Sequence, residues 1–372
     1  MRYYIIAGEA SGDLHGSNLV KGIRELSPES EFRGWGGDLM QEAGVKLVKH
    51  FRDLAFMGFI EVVKNLPTIL RNLSFCKQDV TAFNPDILIL IDYPGFNLRI
   101  AEWAHSKGIR IIYYISPQVW AWKESRVKKI RKHVDRMLVI LPFEKPFYEK
   151  WNYDVEYVGH PLVTVIDQYK AGGDTSALSD RPVIALLPGS RKQEIMVKLP
   201  VMLEVSKRFA DYQFIVAQAP GQEDSFYAGL LQGYPNVSGI TNQTYRLLSQ
   251  AKAALVTSGT ATLETALFGV PEVVCYKGSN ISYQIAKRLI KIKYISLVNL
   301  IMDKAVVTEL IQDEMNADNI TKELNLLLHD EDRKTKLSHD YTALRELLSQ
   351  GGDASRNAAR IIVDFADEVN PS

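Results

Sequence analysis

The chain has 372 residues, with 44 Lys plus Arg against 44 Asp plus Glu. That length exceeds what one hydrophobic core usually supports, and the balance argues against a partner recruited by global charge. Its two cysteines, Cys76 and Cys275, have neither zinc-site nor disulfide-framework spacing and suit a reducing compartment. The start, Met1–Ala7, reads as a strand without an apolar stretch of signal-peptide length, and no segment reaches the roughly 18 apolar residues of a spanning helix. A cytoplasmic protein of two domains is expected, with surface attachment left open.

Tyr3–Ala7 predicts a buried strand, followed by a glycine-rich connection, Gly8-Glu9-Ala10-Ser11-Gly12-Asp13, into a helix reaching about Leu26. The spacing is not that of a dinucleotide fingerprint, and Glu9 and Asp13 would repel a phosphate. Sugar hydroxyls or proton transfer suit these carboxylates better, with helix capping the plain alternative for Asp13. Phe32–Gly37 follows as a short strand and turn. Leu54–Asn65 is apolar nearly all round. It is either a helix buried between layers or a greasy surface, Met57 and Phe59 included, for acyl chains or a bilayer. Asp86–Ile91 is a buried strand ending in Asp92-Tyr93-Pro94-Gly95, a carboxylate where open parallel sheets place their ligands.

Arg110–Ser116 predicts the next strand, and after it Trp120 and Trp122 could stack on a sugar, sit in an interface or fill the core. The cations that follow are Lys123, Arg126, Lys128, Lys129, Arg131, Lys132 and His133, opposed only by Glu124. Spread over about three turns, they require much of this helix to face solvent or an anionic partner. Basic residues beside tryptophans suit the headgroup zone of an anionic membrane, whereas no nucleic-acid motif accompanies them. Strand Arg136–Leu141, helix Pro142–Lys150 and strand Val155–Val158 close this half. His160, just beyond, is either catalytic or a structural hydrogen-bonding group.

Asp167–Arg181 is polar and reads as a linker. The second half opens on Pro182–Glu194, where a buried strand breaks into Pro188-Gly189-Ser190-Arg191 before a helix. Gly189 lets the backbone approach a ligand, the helix amides favour an anion, and Arg191 offers a fork to phosphate oxygens: a candidate diphosphate site. Strand Ala253–Val256 leads into a second such junction, Ser258-Gly259-Thr260, with Glu264 one turn on to accept from ribose hydroxyls. Strand Glu272–Tyr276, a basic amphipathic helix Ser279–Lys293, a strand Ile295–Val298 and Asn299 are expected next, then helices to the end. The fold class is therefore α/β, two Rossmann-like domains facing across a cleft. They span residues 1–166 and 181–345, and the helical segment 346–372 is expected to return to the first.

Seven segments in order, Gly8-Glu9-Ala10-Ser11-Gly12-Asp13, Ile91-Asp92, Ser116-Pro117-Gln118-Val119-Trp120-Ala121-Trp122, Leu141-Pro142-Phe143-Glu144, Leu187-Pro188-Gly189-Ser190-Arg191, Ser258-Gly259-Thr260-Ala261 and Ser296-Leu297-Val298-Asn299-Leu300, resemble the lipid-A-disaccharide synthase family over nearly the whole chain. The resemblance implies an inverting glycosyltransferase of the GT-B fold. It would join UDP-2,3-diacylglucosamine to 2,3-diacylglucosamine 1-phosphate, release UDP and make the β-1,6 disaccharide of lipid A. No metal or redox cofactor is implied. Gly95 stands where some relatives carry an acidic residue, and Val298 where they carry proline.

On this reading Asp92 is the general base, Glu9 orients the acceptor and Asp13 caps its helix. Gly189, Ser190, Arg191, Glu194, Ser258, Gly259, Thr260, Glu264 and Asn299 hold UDP. Met57, Phe59, Trp120, Trp122, Arg126, Lys128, Lys129, Arg131 and Lys132 meet the acceptor or the cytoplasmic face of an anionic inner membrane. Oligomeric state is open, a homodimer included. The alternatives are a related enzyme acting on another UDP-sugar, such as an epimerase, and a non-catalytic nucleotide-sugar binder.

Overall fold

The computed structural model describes residues 1–54, 66–122, 124–219, 222–278 and 293–368. The chain forms two compact units, one of Met1–Pro161 with Leu348–Ser372 and one of Leu162–Leu347.

The first unit is built on seven parallel strands: β1 (Arg2–Ala7), β2 (Glu31–Gly36), β3 (Lys46–His50), β4 (Ile87–Ile91), β5 (Arg110–Tyr114), β6 (Arg136–Val139) and β7 (Glu156–Tyr157), in the order β3-β2-β1-β4-β5-β6-β7. The central strands are continuous apolar runs because helices cover both faces of such a sheet, and Ile87–Ile91 is buried at every position. Those helices are α1 (Ala10–Leu26), α2 (Asp38–Glu42), α3 (Leu66–Phe83), α4 (Pro94–Ser106), α5 (Val119–Trp122), α6 (Val127–His133) and α7 (Glu144–Glu149). The strand order reverses between β1 and β4, where Ala7 pairs with Ile91. Glu9 and Asp92 therefore stand just beyond adjacent strand ends, at the point where such sheets open a crevice.

The second unit repeats the plan with β8 (Val183–Leu187), β9 (Gln213–Gln218), β10 (Val237–Thr241), β11 (Ala251–Thr257), β12 (Glu272–Tyr276) and β13 (Thr308–Ile311), ordered β10-β9-β8-β11-β12-β13 and all parallel. Its helices are α8 (Pro161–Gly172), α9 (Lys192–Ser206), α10 (Asp224–Leu231), α11 (Thr244–Gln250), α12 (Thr260–Phe268), α13 (Leu297–Met302), α14 (Ala317–His329) and α15 (Glu331–Ser349). Here the reversal falls between β8 and β11, with Leu187 paired to Val256, so the loops at Gly189 and Ser258 leave adjacent strands.

The closing helix, α16 (Ala354–Asp367), packs on α1. A side chain at Gly22 would come within 3.0 Å of Ala359, Arg356 pairs with Glu25 at 3.1 Å, and the Phe365 ring receives the guanidinium groups of Arg110 and Arg136.

Three sequence expectations change. Residues 167–172 are helical rather than linker, because Leu162, Val163 and Ile166 bury one face of α8. Leu297 and Val298 open a helix rather than ending a strand, because the Ser296 hydroxyl accepts from the Asn299 amide as an N-cap. The short strands β3, β10 and β13 had no alternating or continuous apolar signature strong enough to predict them. The apolar segment 55–65, with Met57 and Phe59, and the expected basic helix over 279–292 lie outside the described residues.

Candidate active site

In the first unit, β4 ends in an elbow in which Asp92 and Tyr93 both take positive φ, 43° and 48°. Two consecutive non-glycine residues in the left-handed region are strained and need anchoring. Three hydrogen bonds anchor them: the Asp92 carbonyl accepts from Asn97 Nδ2 at 2.8 Å and from the Tyr113 hydroxyl at 2.5 Å, and the Asp92 amide donates to Tyr114 O at 3.3 Å. Asn97 is fully buried and also donates to the Ile91 carbonyl at 3.2 Å. The Tyr93 ring lies over Gly8, so that a Cβ there would overlap it. That contact draws the Gly8-Glu9 turn and the elbow together. Loss of water around Asp92, and secondly the charge of Glu9, raise its carboxyl pKa to about 7, while a hydrogen bond from the Tyr93 amide works against the rise. A carboxyl poised near neutrality and held by a rigid backbone suits general base chemistry.

Asp13 is not part of that pair. Its carboxylate accepts from the amides of Gly37 at 2.7 Å, Leu39 at 3.1 Å and Met40 at 3.0 Å, so it caps α2 and not α1, in whose first turn it lies, and its oxygens are committed. The Trp120 indole donates to Glu144 Oε1 at 3.3 Å and meets Phe143 edge-on. Glu144 is buried, its pKa pushed up to about 7 by burial against the opposing amides of Leu141 and Ile140. Trp120 is thereby tied to its own fold, and the Trp122 side chain lies outside the described residues. In α6, Val127, Ile130 and His133 face inward, leaving Lys128, Lys129, Arg131 and Lys132 exposed. His133 leaves the cationic run, because burial lowers its pKa. Arg126 is half-buried, its pKa lowered by burial and by Arg99. His160 is buried near His15, and burial together with that neighbour depresses it to about 3, a neutral imidazole at physiological pH.

In the second unit the loops after β8 and β11 line a cavity of about 410 Å³. Gly189, Ser190, Arg191, Glu194, Ser258, Gly259, Thr260 and Glu264 all line it, joined by Gln218 and Thr244. Gly189 takes φ +115° and Gly259 φ +142°, values that other residues rarely adopt. Each glycine leads the chain into a helix, α9 or α12, and residues of both N-termini line the cavity. Arg191 Nη1 stands 3.4 Å from Glu194 Oε1. The Ser258 hydroxyl donates to Ile295 O at 2.8 Å. Glu264 accepts from the Tyr245 hydroxyl at 3.1 Å, and burial raises its pKa to about 7. A recess with two helix N-termini, a guanidinium, hydroxyls and two carboxylates, one of them turned to the guanidinium, can take an anion beside a polyol.

Asn299 is placed elsewhere. Its Nδ2 donates to Val307 O and Glu309 Oε1, both at 2.9 Å, and its Oδ1 accepts from the amides of Val306 at 2.8 Å and Val307 at 2.9 Å. It borders a separate cavity of about 660 Å³ with Tyr294, Arg333 and Lys336. The four bonds make it a brace for the turn before β13.

Sequence reading missed Asn97 and Tyr113, whose contacts to Asp92 span 5 and 21 residues. It also missed Lys198, buried behind the cavity wall. An i, i+4 spacing from Glu194 was the only local sign of the last.

The family model for lipid-A-disaccharide synthetase matches residues 3–363. The lipid-A-disaccharide synthase of Trichlorobacter lovleyi is 38% identical over 376 residues, covering 99% of this chain and 98% of that one. The chain belongs to the lipid-A-disaccharide synthase family. It is accordingly an enzyme, a glycosyltransferase of lipid A biosynthesis. Solved structures agree on the fold. The UDP-GlcNAc 2-epimerase of Methanocaldococcus jannaschii, in complex with UDP-GlcNAc and UDP, superposes with a TM-score of 0.68 at 11% identity, covering 98% of this chain and 100% of that one. The calicheamicin glycosyltransferase CalG4 gives 0.62 at 15% identity, covering 99% and 98%. The expected α/β architecture of GT-B type is thus met, its closing helix returned to the first unit.

Proposed function

We propose that this lipid-A-disaccharide synthase family member moves 2,3-diacylglucosamine from its UDP-activated form to the 6-hydroxyl of 2,3-diacylglucosamine 1-phosphate, with inversion, releasing UDP. The observation that carries the reading is the division of chemistry between two strand-order reversals. In the first unit a carboxyl with pKa near 7 stands beside Glu9, and in the second a cation, hydroxyls and two helix N-termini line the cavity, with Glu194 turned to Arg191 and Glu264 held by Tyr245. Asp92 takes the acceptor proton and Glu9 orients the acceptor, while Arg191 and the Ser258–Thr260 loop receive charge developing on the leaving diphosphate. Glu264 accepts from ribose hydroxyls. The chemistry is proton transfer and charge stabilisation, which calls for no metal or redox group. The M. jannaschii relative by fold, solved with UDP-GlcNAc and UDP, supports a uridine nucleotide here.

Both substrates carry acyl chains, and the exposed face of α6 with exposed Leu70 and Phe75 on α3 supports attachment to the cytoplasmic face of an anionic inner membrane. Among the described residues no helix is long and apolar enough to cross a membrane. The test is incubation with both lipid substrates, followed by mass spectrometry. Disaccharide 1-phosphate and UDP in equal amounts are expected. An epimerised UDP-sugar without acceptor, or UDP bound without turnover, would overturn the assignment.

A further inference from the structure

Lys198 is 3% exposed, one turn beyond Glu194 on α9. Its ammonium donates to the hydroxyl of Thr257, a residue of the cavity wall. It also stands 3.9 Å from Glu194 Oε2 and 5.8 Å from the centre of the Tyr276 ring. Glu194 turns its other oxygen to Arg191. One carboxylate therefore sits between two cations, pressed against Gly189 where the anion is expected. Left alone there, Glu194 would repel a diphosphate. A buried ammonium is a standing cost to a fold, and a Leu or Met would fill the place without it.

We propose that Lys198 is a positioning residue for the anionic half of the nucleotide. Its charge cancels that of Glu194, so the ligand meets Arg191 and not a carboxylate, and its bond to Thr257 fixes the strand end that presents Ser258, Gly259 and Thr260. The proposal rests on the reading of this cavity as a nucleoside diphosphate site and adds the group that makes it tolerant of charge. Without Lys198 the described residues of the wall would set Glu194 and Glu264 against Arg191 alone.

The experiment is calorimetric titration of UDP and of uridine into the full chain and its variants, with folding followed by circular dichroism. If the unaltered chain binds no UDP, the cavity reading itself falls. Given UDP binding, K198M should weaken UDP by about tenfold or more and uridine by less than about twofold, because only the diphosphate feels the lost charge. E194Q/K198M should bind UDP more tightly than K198M. Unchanged UDP affinity in K198M, an equal loss for uridine, or no recovery in the double variant overturns the proposal. Should K198M fail to fold, the double variant, which removes the buried ammonium together with its carboxylate partner, is set beside E194Q. It should bind UDP more weakly than E194Q does, and equal affinity would refute the role.

Discussion

The Tyr113 hydroxyl donates to the main-chain carbonyl of Asp92 at 2.5 Å, from the neighbouring strand, and so holds the residue by its backbone while leaving the carboxylate unclaimed by that bond. A carboxylate whose backbone is fixed in this way keeps its distance to whatever group is set before it, as the proposed base must. Asp92→Asn preserves shape and removes basicity. Turnover should fall about a hundredfold or more, with UDP affinity retained. The same variant should gain roughly 1–3 kcal/mol of stability at pH 8. The sign follows from the raised pKa: ionised Asp92 burdens the fold above about 7, and the burden vanishes once pH falls below the unfolded carboxyl value. Thermal melts at pH 8 and pH 4 check it. A variant with near-normal turnover removes Asp92 as base.

Glu9 contributes to the raised pKa by its charge. Glu9→Gln should therefore move the acidic limb of the kcat/KM profile to lower pH, since Asp92 then ionises more readily. A limb that stays in place would detach Glu9 from Asp92.

Arg191→Ala should weaken UDP binding by about tenfold or more, as loss of a charge-assisted fork predicts. Isothermal calorimetry reads this directly. Equal affinity would mean that the helix amides hold the diphosphate without it.

Asn299→Ala removes four hydrogen bonds from a buried turn and should destabilise the fold by roughly 2–4 kcal/mol. UDP affinity of the folded variant should be unchanged. Lost affinity without lost stability would return Asn299 to the ligand.

Buried His15 and His160 are depressed to about 4 and about 3. Their unfolded forms begin to take protons near the ordinary value of about 6.5, so stability from these groups is whole above that pH and falls as pH drops toward 4. Asp92, Glu144 and Glu264, with pKa near 7, change in the opposite direction over that range. Comparison with His160→Gln isolates the histidine: its melting temperature should fall less between pH 7 and pH 4 than that of the unaltered chain.

The sheets were legible because parallel strands buried on both faces are written as apolar runs, Ile87–Ile91 and Val183–Leu187 among them. The two reversal points were legible because glycine, carboxylate or hydroxyl residues break those runs abruptly. Interactions distant in sequence were not. Asp13 meets its partners 24 to 27 residues away, and nothing near Asn299 announces that its amide is consumed by residues 7 to 10 positions on. Lys198 was hidden for the opposite reason, since a lysine on a helix is usually solvated and only the packing of Thr257 and Tyr276 around it shows otherwise.

The first unit takes its last element from the far end of the chain: α16 lies on α1, with Ala359 against Gly22 and Arg356 on Glu25. During translation the whole of Leu162–Leu347 emerges before that helix does, so the second unit is free to fold while the first still lacks a cover for α1. Ribosome-bound chains stopped before Ala354 should hold a protease-resistant second unit beside a digestible first one. A premature stop near the end would cost the unit that holds Glu9 and Asp92, although neither residue had been lost.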